Sequence, residues 1–152
     1  MRRLEKEIKD RKQIETIMAK AKCCRIALVD GILPYIVPIN FAVNNNHLYF
    51  HSANEGKKID ILRKNNSVCF EIDIEGEIVE SKTACSWGMK YVSVIGFGQA
   101  FFVEDNTGKR KALDILMEKY AGRSGFSYAD DELDKIIIID IKIDTISGKQ
   151  SG

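Results

Sequence analysis

No uninterrupted apolar stretch in this 152-residue chain approaches the length of a membrane span or a signal h-region. A cytoplasmic location is therefore expected. Charge of one sign is missing too: 23 Lys and Arg stand against 22 Asp and Glu, a formal net charge of +1. Nucleic-acid binding normally shows as a strongly basic balance or stripe, so nucleic acid is not an expected partner. The four cysteines, Cys23, Cys24, Cys69 and Cys85, lack C-x-x-C spacing and are too sparse for a disulfide scaffold. They read as reduced, mostly buried thiols, with Cys23 and Cys24 on opposite faces of a strand. The chain has only two histidines, His47 and His51. In a strand they lie roughly 13 Å apart at about 3.3 Å per residue, too far to share an ion, so no metal site is expected.

Common catalytic motifs are absent as well. Gly96-Phe97-Gly98 lacks the third glycine of a dinucleotide fingerprint and continues as a strand instead of opening a helix. Gly56-Lys57-Lys58 lacks both the upstream glycine and the following Ser/Thr of a phosphate-binding P-loop. Neither G-x-S-x-G nor H-E-x-x-H occurs.

What is present is the composition of a globular protein, 45% apolar and 30% charged, in a length that suits one domain over 1–152. Apolar spacing predicts an amphipathic helix over 10–22 and a strand over 24–29, followed by an Asp30-Gly31 turn. A strand over 35–43 follows, with Pro38 marking an edge or an interruption. Beyond the Asn44-Asn45-Asn46 turn come a strand from His47 to His51, a helix over 57–65 and a strand over 67–73. The acidic, poorly patterned 74–84 reads as a turn and a mobile segment. The longest strand candidate spans 90–103, where Gly96 and Gly98 allow a bend or the close approach of another backbone. A helix over 106–120 and an irregular connection lead to a last strand over 136–144. Its Ile136-Ile137-Ile138-Ile139 opening implies burial on both faces. At least six antiparallel strands with flanking helices make the fold class mainly β (α+β), a partly open barrel.

Ser52-Ala53-Asn54-Glu55-Gly56-Lys57-Lys58 opens the second helix and supports two readings. As a capping box, Ser52 and Glu55 satisfy backbone donors and bind nothing. As an anion site, the helix N-terminus and two lysines, which the macrodipole disfavours there, together receive a phosphate. His51 stands at the strand end beside it, as a structural hydrogen-bonder or a ligand contact. Trp87, Lys90 and Tyr91 follow the segment read as mobile, either packing into a core or interface or walling a flat anionic cofactor.

The order of these elements resembles a known family. The stretches carrying it are Pro34-Tyr35-Ile36-Val37-Pro38, Leu48-Tyr49-Phe50-His51-Ser52-Ala53, Gly56-Lys57-Lys58-Ile59-Asp60 and Lys90 to Gly98. Together they resemble the pyridoxamine 5'-phosphate oxidase-like superfamily, and within it the nitroimidazole-resistance branch. The resemblance implies a six-stranded antiparallel split β-barrel that binds FMN as a homodimer, with each flavin in a groove between subunits. Carried onto this chain, Pro38, Ile39 and Asn40 would line the isoalloxazine edge, and Phe50, His51, Ser52, Lys57 and Lys58 the phosphate end. Tyr91 and Ser93 would complete the groove, with Trp87 covering it from the partner and Lys90, Tyr91 or His51 as proton sources. True pyridoxamine phosphate oxidases carry an arginine and a lysine where Tyr35 to Asn40 stand here, and a C-terminal substrate motif absent from this chain. Vitamin B6 oxidation is therefore not expected. The implied activity is flavin-dependent reduction of small, electron-poor, nitroaromatic-like substrates, with His51 as the catalytic candidate. The alternative is a flavin-binding, redox-sensing protein without turnover. A small oligonucleotide-binding barrel is a third reading, disfavoured by the neutral charge.

Overall fold

The computed structural model describes residues 3–152. Among the described residues eight strands, β1 (Glu7–Ile8), β2 (Cys24–Asp30), β3 (Leu33–Ile39), β4 (Ala42–Asn44), β5 (His47–Ala53), β6 (Ser67–Val79), β7 (Gly88–Val103) and β8 (Ile136–Ser151), form one sheet. Helices α1 (Arg11–Lys20), α2 (Lys57–Lys64), α3 (Asn106–Ala121) and α4 (Asp130–Leu133) accompany it. The strand order is β3-β2-β6-β7-β8-β5-β4, with β1 added to β8, and every pairing is antiparallel. The barrel is split: its end strands, β3 and β4, follow each other in the chain with only Asn40 and Phe41 between them.

That seam corrects the single strand expected over 35–43. Phe41 is fully buried, and the chain leaves one edge of the sheet after Ile39 to enter the other at Ala42. Local signals explain the neighbouring turns. Asn45 and Asn46 adopt φ of 49° and 66°, the left-handed pair a two-residue hairpin loop needs, and Gly31 at φ 64° serves the Asp30 turn. Asp10 caps α1 by accepting from the Lys12 N–H at 2.9 Å, and Ile14, Ile17 and Met18 face the core.

Two strands run further than their sequence pattern indicates. β6 continues through 74–79, the stretch expected to be mobile, and pairs with the start of β7 across a register shift between Glu75 and Ile78. This arm has largely exposed faces, so it carries no apolar alternation. β8 continues from Asp144 to Ser151 because β7 and β1 pair with that extension. A Cβ on Gly98 would lie 2.2 Å from the Lys142 carbonyl oxygen, the close backbone approach its sequence position suggests. Ile26, Leu28, Phe50, Phe70, Ile72, Val94, Ile139 and Ile141 fill the barrel interior. Of the cysteines, Cys24 is buried and Cys69 half-buried, whereas Cys23 and Cys85 are exposed, so the thiols are less buried than expected. Burial pushes the Cys24 thiol up to about 12. Among the described residues, no helix is long and apolar enough to cross a membrane.

Candidate functional site

The N-terminus of α2 has no side-chain cap. Gly56, at φ 123°, precedes the first turn, and its carbonyl accepts from the Ile59 and Asp60 N–H groups at 2.9 and 3.1 Å. Of the two readings of this stretch, the capping box from Ser52 and Glu55 does not form. Ser52 still belongs to β5, opposite Ile137, and is buried. Strand alternation decides this, since Leu48, Phe50 and Ser52 point inward and His51 outward. Phe50, expected at the phosphate end, is therefore a core residue whose ring is fully buried.

Lys57 and Lys58 stand in the uncapped first turn, Lys57 exposed and Lys58 half-buried. The Lys57 ammonium lies 3.6 Å from an Asp30 carboxylate oxygen and 4.7 Å from the centre of the Tyr35 ring. These contacts tie the helix start to the β2–β3 hairpin. On β3, Pro38 is exposed and Ile39 is buried at the core margin. Asn40 is exposed at the seam, where its amide donates to the Lys22 carbonyl at 3.4 Å.

Trp87, Lys90, Tyr91 and Ser93 form a separate group near the start of β7. Trp87 donates its indole N–H to the Ser81 carbonyl at 2.7 Å, and Lys90 pairs with Glu77 at 3.0 Å. Tyr91 is held below the ordinary tyrosine value by its interaction with the Lys149 side chain, whose ammonium lies 5.5 Å from the ring centre. In register, the Pro38 row runs through Arg25 on β2 and Glu71 on β6 to Ile95 on β7. The β7 group is thus three strands away from Pro38, about 14 Å at roughly 4.8 Å per strand, and its nearest member, Ser93, is offset further along β7 from Ile95. One chain does not bring the two groups together.

Sequence reasoning missed an ion cluster in that row. Arg25 bonds Glu71 at 3.1 Å and also Asp73, and burial pushes the Glu71 carboxyl up against the pull of the arginine. Its signal was the outward phase of these residues between core positions, but the pairing of β2 with β6 is not readable from one sequence. Ile36, Ala27, Cys69 and Phe97 align across four strands beside it, with Ile36 60% and Phe97 54% exposed. His47, read as too far from His51 to share an ion, hydrogen-bonds Asp140 through Nδ1 at 2.7 Å. A cavity of about 810 Å³ lies elsewhere, between α1, α3 and the turn after β4, and none of the predicted site residues lines it.

The family model described as pyridoxamine 5'-phosphate oxidase matches residues 10–150. The chain belongs to the pyridoxamine 5'-phosphate oxidase family. Within that family it is similar to a proposed 5-nitroimidazole antibiotic resistance protein from Bacteroides thetaiotaomicron, at 36% identity and a TM-score of 0.85. The match covers 95% of this chain and 86% of that one. It supports the nitroimidazole-resistance branch. The FAD- and haem-binding protein of Mycobacterium smegmatis shares the fold at a TM-score of 0.87 and 20% identity, over 96% of this chain and 73% of that one. An uncharacterised protein of Rhizobium meliloti is 35% identical over 65 residues, 43% of this chain. That match spans 42% of the relative's length.

Proposed function

We propose that this member of the family binds FMN and works as a flavin-dependent reductase of small, electron-poor, nitroaromatic-like molecules. The observation that carries the reading is the uncapped, basic α2 N-terminus fastened to edge strand β3, in a chain 36% identical to a proposed nitroimidazole resistance protein. These residues suit the group. The N–H groups and lysines of the first turn favour a phosphate, and an exposed edge interrupted at Asn40 offers backbone and amide groups to a flat polar ring. When bound, FMN supplies the redox chemistry.

The chain's own residues would hold and orient it. Lys57 and Lys58 would bind the phosphate, and Pro38, Ile39 and Asn40 would position the ring edge, whereas inward-facing Ser52 stands behind them. His51, exposed at the end of β5, is the candidate to hold a proton toward substrate. Because Trp87, Lys90, Tyr91 and Ser93 lie three strands from Pro38, they would reach the same groove from a second copy. The exposed row from Ile36 to Phe97 is the face on which a homodimer would close.

A second reading is flavin binding for redox sensing without turnover, which fits a cavity between α1 and α3 that none of the residues assigned to the flavin lines. The two readings part under anaerobic visible spectroscopy of the flavin-loaded protein. A reductase bleaches with NADH or NADPH and recovers when a nitroimidazole is added, whereas a sensor keeps a bound but unresponsive flavin. Absence of a flavin spectrum after incubation with FMN contradicts both.

A further inference from the structure

At the seam between β3 and β4 the backbone has left one edge of the sheet and has not joined the other, so a buried N–H there needs a partner from outside the sheet. The partner is Tyr120, in the last turn of α3. Its hydroxyl accepts from the Phe41 N–H at 2.9 Å and donates to the Lys22 carbonyl at 2.8 Å. The Asn40 side-chain amide donates to the same carbonyl at 3.4 Å. Next to it, the Lys119 ammonium sits 3.4 Å from the centre of the Phe41 ring and donates to the Met18 carbonyl at 2.9 Å. Two consecutive residues of α3 therefore grip Phe41 from its backbone and from its ring, and anchor that grip to α1 and to the segment entering β2. Tyr120 is 41% exposed, so burial of its ring does not account for its position. Its hydroxyl does.

We infer that Tyr120, assisted by Lys119, is a positioning residue that fixes the Asn40–Phe41 seam and thereby the Pro38–Asn40 edge against which the flavin ring would lie. The inference rests on the flavin reading above. Its physical basis is that catalytic geometry tolerates little displacement, and that a seam without ladder hydrogen bonds takes its position from whatever else holds it. Replacing the tyrosine hydroxyl leaves the Phe41 N–H and the Lys22 carbonyl without their common partner.

The test compares Tyr120→Phe with Tyr128→Phe, which deletes a hydroxyl contact to the Asp114 side chain at 3.0 Å and none to the seam backbone. Amide exchange at Phe41, FMN titration and the visible spectrum of bound FMN are measured in both variants and in the wild type. Tyr120→Phe removes both hydroxyl bonds, to the Phe41 N–H and the Lys22 carbonyl, and is expected to speed Phe41 exchange, weaken FMN about fivefold through the displaced edge, and shift the flavin absorption band. Tyr128→Phe leaves all three as in the wild type. Faster Phe41 exchange with unchanged FMN affinity and band position overturns the positioning role while the flavin reading stands. A wild type that takes up no FMN removes the flavin reading and this role with it. Lys119→Met, which keeps the hydroxyl and frees the ring, should give a smaller effect in the same direction. A band shift equal in Tyr120→Phe and Tyr128→Phe also counts against the inference.

Discussion

Phe70 and Gly96 are partners across β6 and β7, and the Phe70 ring occupies the space a side chain on Gly96 would need. A Cβ there would lie 2.2 Å from the ring's Cζ, inside a core where Phe70 is fully buried. Gly96→Ala should destabilise the fold by about 1–3 kcal/mol, the usual range for overpacking. Urea denaturation checks this, and a midpoint equal to wild type would show that the ring shifts at little cost.

Lys109 is 7% exposed on α3, and its ammonium donates to the Leu133 and Ile136 carbonyls at 2.8 and 2.9 Å. It closes the end of α4 onto the start of β8. Lys109→Met keeps the aliphatic stem but strands one buried and one partly buried acceptor, with an expected loss of about 1–3 kcal/mol. Thermal denaturation reads the outcome.

Burial lowers Lys119 from the usual lysine value of 10.5 to about 8. The folded state then releases this proton earlier than the unfolded state, so between pH 8 and 10.5 the unfolded chain binds more protons and stability rises with pH on this residue's account. The melting temperature of wild type minus that of Lys119→Met should therefore increase from pH 7.5 to 10.5. A constant difference would mean that the ammonium is solvated in the folded protein.

The exposed Phe97 ring at the centre of the outer face bears on the proposed homodimer. Phe97→Asp should convert a dimer to a monomer in light scattering, with the circular dichroism spectrum unchanged, because the ring makes no part of the barrel interior. A variant that remains dimeric would move the interface to another face.

Where the determining interaction is local, the sequence was legible. Asp10, the Asn44–Asn46 turn, Asp30-Gly31 and the apolar stripes of α1 to α3 act within a few residues of themselves. The seam at Asn40–Phe41 was not legible, because β3 and β4 are joined in the chain but separated by the whole sheet, and Pro38 reports an edge without saying which one. Strand 74–79 was hidden because an arm with little buried apolar surface has no period for a pattern to show. At the site, Lys57 and Lys58 could be placed from their helix, while the inward phase of Phe50 and Ser52 depends on where the β5–β8 pairing puts the core. Arg25, Glu71, Asp73 and Tyr120 carry no motif at all. Their meaning comes from partners between 46 and 98 residues away.

Whether the α2 N-terminus holds a flavin phosphate is decided by an FMN titration of wild type and of the Lys57→Ala, Lys58→Ala double variant, followed by flavin fluorescence quenching. Loss of two charge-assisted contacts predicts at least about tenfold weaker binding, with the fold intact by circular dichroism. Equal affinity in the two proteins would place the phosphate elsewhere and contradict the account.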